Sequence, residues 1–197
     1  MFNDGGDRVV LWRGSALVHE RMTLAVTTFL ALLALFAAAG VVVILVLAAA
    51  GWLDGVREML GAAPLWLAFA VAATATAGSL YLSEVAGFVP CALCWYQRIA
   101  MYPLVIILGI AAWRGDDGIR RYVVPLAGIG AIIAAYHVAL QRMPGLPSGA
   151  CSLDAPCTLI YVERFGFVTI PVMALIGFVA ILTLLVVLLP SGAKEET

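Results

Sequence analysis

Apolar residues in this chain gather into long blocks instead of recurring at a strand period or on one helical stripe. Five blocks stand out, at roughly 24–50, 65–87, 97–113, 122–140 and 167–189. A helix that crosses a bilayer needs about 20 mostly apolar residues, with a range of about 17–25. The first block is slightly long, which tilt absorbs. The third is at the short limit and carries Pro103, which is expected to kink it. Helices rather than strands are predicted, because each segment must satisfy its own backbone polar groups in lipid. Trp52, Trp66, Trp95 and Trp113 fall near predicted ends, where amphipathic rings sit at headgroup level. The connections are short at 51–64, 89–95 and 114–121 and longer at 141–166, and no internal repeat is visible. Arg8, Arg13 and Arg21 ahead of the first block, with Ala48-Ala49-Ala50 after it, resemble a cleavable signal. Signal cores run only about 7–15 residues, so a retained helix is expected.

Composition sharpens this reading. Of 197 residues, 64% are hydrophobic and 12% charged, against roughly 45–50% and about 25% in soluble domains. The mean hydropathy is +1.07. Such a chain has lipid as its natural solvent. A net charge of -1 with no basic run offers nothing to nucleic acid. The expected organisation is a tail (1–23), one helix (24–50), a four-helix membrane unit (65–189) with two cysteine-bearing segments (88–96 and 141–166), and a second tail (190–197).

Charge bears on orientation. With five spans, the N-terminal tail shares a side with both cysteine segments, and that side collects six of the eleven cationic residues. Without the tail, three face five, and Arg114, Arg120 and Arg121 crowd one short loop. The positive-inside rule then places that loop in the cytoplasm and the cysteines outside.

The chemistry lies in four cysteines, too few for a secreted disulfide scaffold. Cys91 and Cys94 form a Cys-x-x-Cys pair, and Cys151 and Cys157 a second pair. Two predicted helices separate the pairs, so both emerge on one face of the membrane. Cysteines that only pack should fall inside the spans, whereas these sit in connections. Pro90 disfavours helix before it, and the third span begins near Cys94. A helix N-terminus favours a thiolate, and Arg98, one turn after Cys94, should lower that thiol's pKa further. Arg98 also reads as an interfacial snorkelling residue. The loop around the second pair holds Pro144, Gly145, Pro147, Gly149 and Pro156. Its cysteines suit a labile relay, and a plain structural bond is the alternative.

With these residues in view, the chain resembles the bacterial disulfide bond formation protein B (DsbB) family, in its BdbC-like branch. The resemblance rests on Ser83-Glu84, on the run from Pro90 through Ile99 with Met101-Tyr102-Pro103, on Tyr136-His137 and Gln141, and on Cys151 with Pro156-Cys157. Phe165 to Pro171 looks like the family's lead-in to its last helix. The resemblance covers about Trp66 to Leu189. It implies an all-α integral membrane protein, a four-helix DsbB-like bundle, here with one additional N-terminal transmembrane helix. It further implies a quinone-dependent protein-disulfide oxidoreductase in a bacterial inner or plasma membrane. Catalysis falls to Cys91, Cys94, Cys151 and Cys157. Ubiquinone or menaquinone is the cofactor, and an extracytoplasmic thioredoxin-fold (DsbA-like) protein the partner. In that scheme Cys94 faces quinone beside Arg98, Cys91 exchanges with Cys157, and Cys151 forms the mixed disulfide with the partner.

Three polar residues keep two readings each. Glu84 is a functional carboxylate or an ordinary interfacial one. His137 hydrogen-bonds quinone or shuttles a proton, or else bonds a neighbouring helix. Gln141, one turn on, lines the same site or caps its helix. With Cys94 and Arg98, His137 and Gln141 are the candidate quinone contacts. Competing accounts of the whole chain are a four-cysteine zinc site, for which Cys-x5-Cys is a poor knuckle, and a vitamin K epoxide reductase-like oxidase. In the latter family the loop cysteines come first, unlike here. A non-enzymatic membrane subunit with stapled loops is the third.

Overall fold

The computed structural model describes residues 5–143, 145, 151 and 155–189, with side chains from residue 18 onward. The expected 190–197 tail and the middle of the 141–166 segment lie outside the described residues. Helices are α1 (Gly5–Ala49), α2 (Leu53–Leu60), α3 (Ala63–Leu80), α4 (Ala92–Arg114), α5 (Arg120–Arg142) and α6 (Ile170–Thr183). Single π-helical turns extend α3 over Tyr81–Val85 and α6 over Leu184–Leu188.

Among the described residues, five stretches are long and apolar enough to cross a membrane: Val18–Ala49, Ala63–Val85, Ala92–Arg114, Asp117–Arg142 and Ile170–Leu188. This is a multi-pass, all-α membrane protein with an extra N-terminal helix. α3 packs on α4, α4 on α5, α5 on α6 and α6 back on α3, closing a four-helix bundle. α1 lies outside that ring, chiefly against α6. Small residues permit the close approaches that membrane helices favour. The edge of the Phe178 ring sits where a side chain on Gly130 would begin, and Phe69 lies 3.1 Å from the Cβ position of Gly109. Leu104, Leu108, Val123, Phe178 and Ile181 fill the interior and are fully buried.

Several boundaries differ from expectation. Residues 5–23 continue α1 without a break. α4 starts at Ala92, not 97, and runs through Pro103. The 51–64 connection holds α2, which Arg57 ties to the Val187 carbonyl at 2.8 Å. A two-stranded antiparallel hairpin, β1 (Glu163–Arg164) and β2 (Val168–Thr169), precedes α6. Its turn uses positive φ at Phe165 (54°) and Gly166 (75°). The expected interfacial tryptophans are all exposed, from 45% at Trp66 to 83% at Trp113.

Candidate active site

Cys91 is the residue immediately before α4, and its sulfur accepts the backbone N–H of Cys94 at 3.3 Å. It thereby takes the N-cap place usually held by serine, threonine or aspartate. Cys94 follows in the first turn, inside the helix and not ahead of it. The two sulfurs are free and 3.0 Å apart, close enough to share one proton. Cys151 and Cys157 are joined to each other.

The two pairs belong to one cluster. Cys91 and Cys157 are buried together with Leu93 and Leu140, and Cys94 and Cys151 pack against that group. α5 supplies the link. The Gln97 amide donates to His137 Nδ1 at 3.0 Å, which leaves the ring proton on Nε2. That Nε2 donates to the Cys157 carbonyl at 3.1 Å and faces the Cys91 sulfur at 3.8 Å. His137 and Gln97 are buried at 2% and 7% exposure, so this chain of contacts is shielded from water and correspondingly strong.

These contacts locate the thiolate. The Cys91 thiol is lowered from 9.0 to about 4, first by the hydrogen bond from the Cys94 thiol, with His137 and the Cys94 backbone N–H adding to it and burial opposing it. Sequence reasoning assigned the activating helix terminus to Cys94 and its neighbour Arg98. In the reduced pair it is the capping sulfur that accepts the donors.

Arg98 has other partners. Its Nη2 donates to the Ser79 carbonyl at 3.0 Å, and its guanidinium lies 5.3 Å from the Trp95 ring centroid. Tyr102 donates to Ser79 Oγ at 3.2 Å, so α4 and the end of α3 are stitched together beside Cys94. Gln141 grips the loop ahead of α6. It accepts from Thr169 Oγ1 at 2.8 Å and donates to the Leu159 carbonyl at 3.3 Å. Arg142 adds a bond to the Phe167 carbonyl at 3.0 Å. Glu84 is exposed and accepts from the neighbouring Ser83 hydroxyl at 3.0 Å.

Two hollows meet at Cys94. A cavity of about 20 Å³, room for one small molecule such as water, is lined by Cys91, Cys94, His137, Gln141 and the 156–162 loop. A groove of about 540 Å³ runs between α1, α3, α4 and α6, and Cys94, Gln97, Arg98 and Tyr102 line one end of it. Of the four expected quinone contacts, Cys94 and Arg98 therefore line the groove, while His137 and Gln141 line the small cavity behind Cys94. Gln97, Ser79 and Tyr102 were missed as participants. Only Gln97 left a signal, a polar residue one turn after Cys94 on a helix that must be buried.

Among the described residues one metal arrangement is available by geometry, since Cys91, Cys94 and His137 each present a donor atom within 4.8 Å of the others. A four-cysteine site would need Cys151 and Cys157 as thiolates, whereas their sulfurs are bonded to each other.

Comparison with known proteins gives a consistent family signal. The family described as "Disulfide bond formation protein DsbB" matches residues 61–155. "Disulfide bond formation protein C" of Bacillus subtilis is 48% identical over 134 residues, covering 67% of this chain and 95% of that protein. "Probable disulfide formation protein C 1" of Bacillus cereus is 51% identical over 118 residues, 59% of this chain and 85% of that one. A "Probable disulfide formation protein" of Coxiella burnetii is 44% identical over 115 residues, 57% and 78% of the respective chains. No solved structure matches the chain.

Proposed function

The chain belongs to the DsbB family, as a BdbC-like member, and from that premise we propose that it is a membrane thiol:quinone oxidoreductase supporting disulfide bond formation. Its relatives are named for disulfide formation, and a protein-disulfide oxidoreductase is the activity that this membership supports. The finer reading adds a thioredoxin-fold (DsbA-like) dithiol as electron donor, quinone as acceptor, and cysteines on the extracytoplasmic side.

The single observation that carries the finer reading is the position of Cys94. Cys94 lines both the small cavity shared with Cys91 and the apolar groove. A group so placed can take electrons from one side and release them on the other.

The residues divide the work accordingly. A partner thiolate attacks the Cys151 sulfur, forming a mixed disulfide and releasing Cys157 as a thiolate. The partner's second thiol then displaces Cys151, so that the partner leaves oxidised and Cys151 and Cys157 remain as thiols. Cys157 next attacks the oxidised Cys91–Cys94 bond at Cys91, freeing Cys94, and Cys151 resolves the resulting Cys91–Cys157 bond. This returns Cys151–Cys157 to its oxidised form and leaves Cys91 and Cys94 reduced, the pattern seen here. His137 holds the Cys157 backbone beside the Cys91 sulfur through its carbonyl contact. Gln141 and Arg142 keep the loop docked.

The groove fits a quinone at its Cys94 end: it is apolar over most of its length, and its volume of about 540 Å³ is within the roughly 300–1,000 Å³ of ligand sites. A bound quinone would supply a sink for the two electrons and two protons that Cys91 and Cys94 give up when they rejoin. Arg98, anchored by Ser79 and Trp95, keeps a fixed positive charge beside Cys94, where it favours negative charge on sulfur or acceptor oxygen.

The test is quinone reduction by purified protein supplied with a reduced thioredoxin-fold donor. Wild type should turn over, and Cys94→Ser should reduce quinone at no more than the uncatalysed rate. Equal rates for the two proteins refute the role given to Cys94.

A further inference from the structure

The extra helix has no part in the scheme above, yet it is fastened to the cysteine end of the bundle at three points. His19 Nε2 bonds the Val85 carbonyl at 2.9 Å. Arg164 of the β-hairpin donates to Thr27 Oγ1 at 2.8 Å. Leu30 fills the notch at Gly78, where its Cδ1 lies 2.8 Å from the position a Cβ would take. Beyond these ties α1 packs on α6 and stands apart from α3, and the groove lies between them.

The groove's dimensions follow from the helix. Its α1 wall runs from Leu30 to Ile44, about 21 Å at 1.5 Å per residue. That is most of the ~30 Å hydrocarbon thickness. Leu33, Phe36, Ala37 and Val41 face it from α1, while Cys94 and Arg98 stand at its cysteine end. A quinone ring at Cys94 would occupy only that end. What remains is a long apolar slot that runs along α1 and is continuous with the Cys94 end of the groove. α1 precedes residue 61, where the family match begins, so this wall is an addition to the matched core.

We propose that α1 forms one side of a slot for the polyprenyl tail of the acceptor, so that this chain holds its quinone by the tail as well as by the ring. The inference rests on the quinone reading above. A lipid acyl chain is the competing occupant.

Gly40 provides the test. It lines the groove, and a Cβ built there meets nothing within 4 Å, so a side chain can start there without strain and Gly40→Phe is expected to reduce the space in the slot. Full-length protein in lipid nanodiscs is photolysed with a quinone carrying a diazirine in its tail, and the label is mapped by mass spectrometry. Label should fall on α1 between Leu33 and Ile44, be competed by unlabelled long-tail quinone, and be lost in Gly40→Phe. In turnover, Gly40→Phe should raise KM for a long-tail quinone about tenfold, equivalent to about 1.4 kcal/mol, and leave KM for a tail-less quinone unchanged. Gly40→Leu should give a smaller rise, and an unchanged melting temperature in either variant excludes misfolding. Label absent from α1, label competed by phospholipid but not by quinone, or equal KM changes for both quinones would overturn the proposal. If wild type reduces neither quinone, the functional reading itself falls. If wild type is active and Gly40→Phe changes nothing, only the tail slot does.

Discussion

Replacing Cys94 by alanine removes the thiol that donates to Cys91, and the consequence can be worked from the geometry. In the reduced wild type the Cys91 sulfur accepts from the Cys94 thiol and the Cys94 backbone N–H, and His137 Nε2 lies 3.8 Å away. Together they hold its pKa at about 4 against an ordinary 9.0. A hydrogen bond to a charged group is worth about 1.5–3 kcal/mol, and one pH unit corresponds to about 1.36 kcal/mol. Loss of the thiol donor alone should therefore raise the midpoint by about 1–2 pH units. The sign for stability follows from linkage. A thiol whose folded pKa lies below its unfolded value stabilises the fold fully above pH 9.0, and that contribution is lost as pH falls through about 4. The assay is thiolate ultraviolet absorbance against pH, in a Cys151→Ser/Cys157→Ser background so that one pair titrates. Wild-type Cys91 should stay ionised at pH 7 and titrate near pH 4, with Cys94→Ala displaced upward. A wild-type midpoint near 9, or an unmoved midpoint in Cys94→Ala, would refute the assignment of the thiolate to the capping sulfur.

Other expectations are simpler. Gly130→Ala forces a methyl against the Phe178 ring, and overpacking of this kind costs about 1–3 kcal/mol, readable as a lower melting temperature in detergent. Gln141→Leu removes two of the bonds that dock the loop ahead of α6 and leaves the one from Arg142. It should slow electron transfer between the cysteine pairs while leaving oxidation of a pre-reduced Cys91/Cys94 pair by quinone unchanged, which stopped-flow separation of the two steps would measure. Gln97→Leu removes the donor to His137 Nδ1 and leaves only the Cys157 carbonyl to hold the tautomer. Nitrogen chemical shifts of the imidazole should move in response, and unaltered shifts would show that Gln97 does not set the tautomer.

The five spans were legible because a bilayer reads apolar length directly, and no tertiary contact is needed to see it. The cysteine pairs were legible because their spacing is local. What sequence could not show was contact across distance. Gln97 and His137 are forty residues apart, and nothing local reveals that they meet, or that His137 turns toward Cys157 instead of the groove. α2 and the strands β1 and β2 are too short to carry a period. The start of α4 was read near Cys94 and lies at Ala92; Cys91 is in the connection, as read, but that its sulfur would cap the helix was not visible in the sequence.

That cap has a consequence for how the site keeps time. The sulfur that ends the backbone of α4 neatly in the reduced state is the one that must accept a covalent bond in the oxidised state. In the proposed cycle each turnover would exchange one way of terminating a helix for another. The first turn of α4, with Arg98 one turn after Cys94, would then respond to each electron pair that passes, and amide exchange at Cys94 would serve as a clock for the cycle.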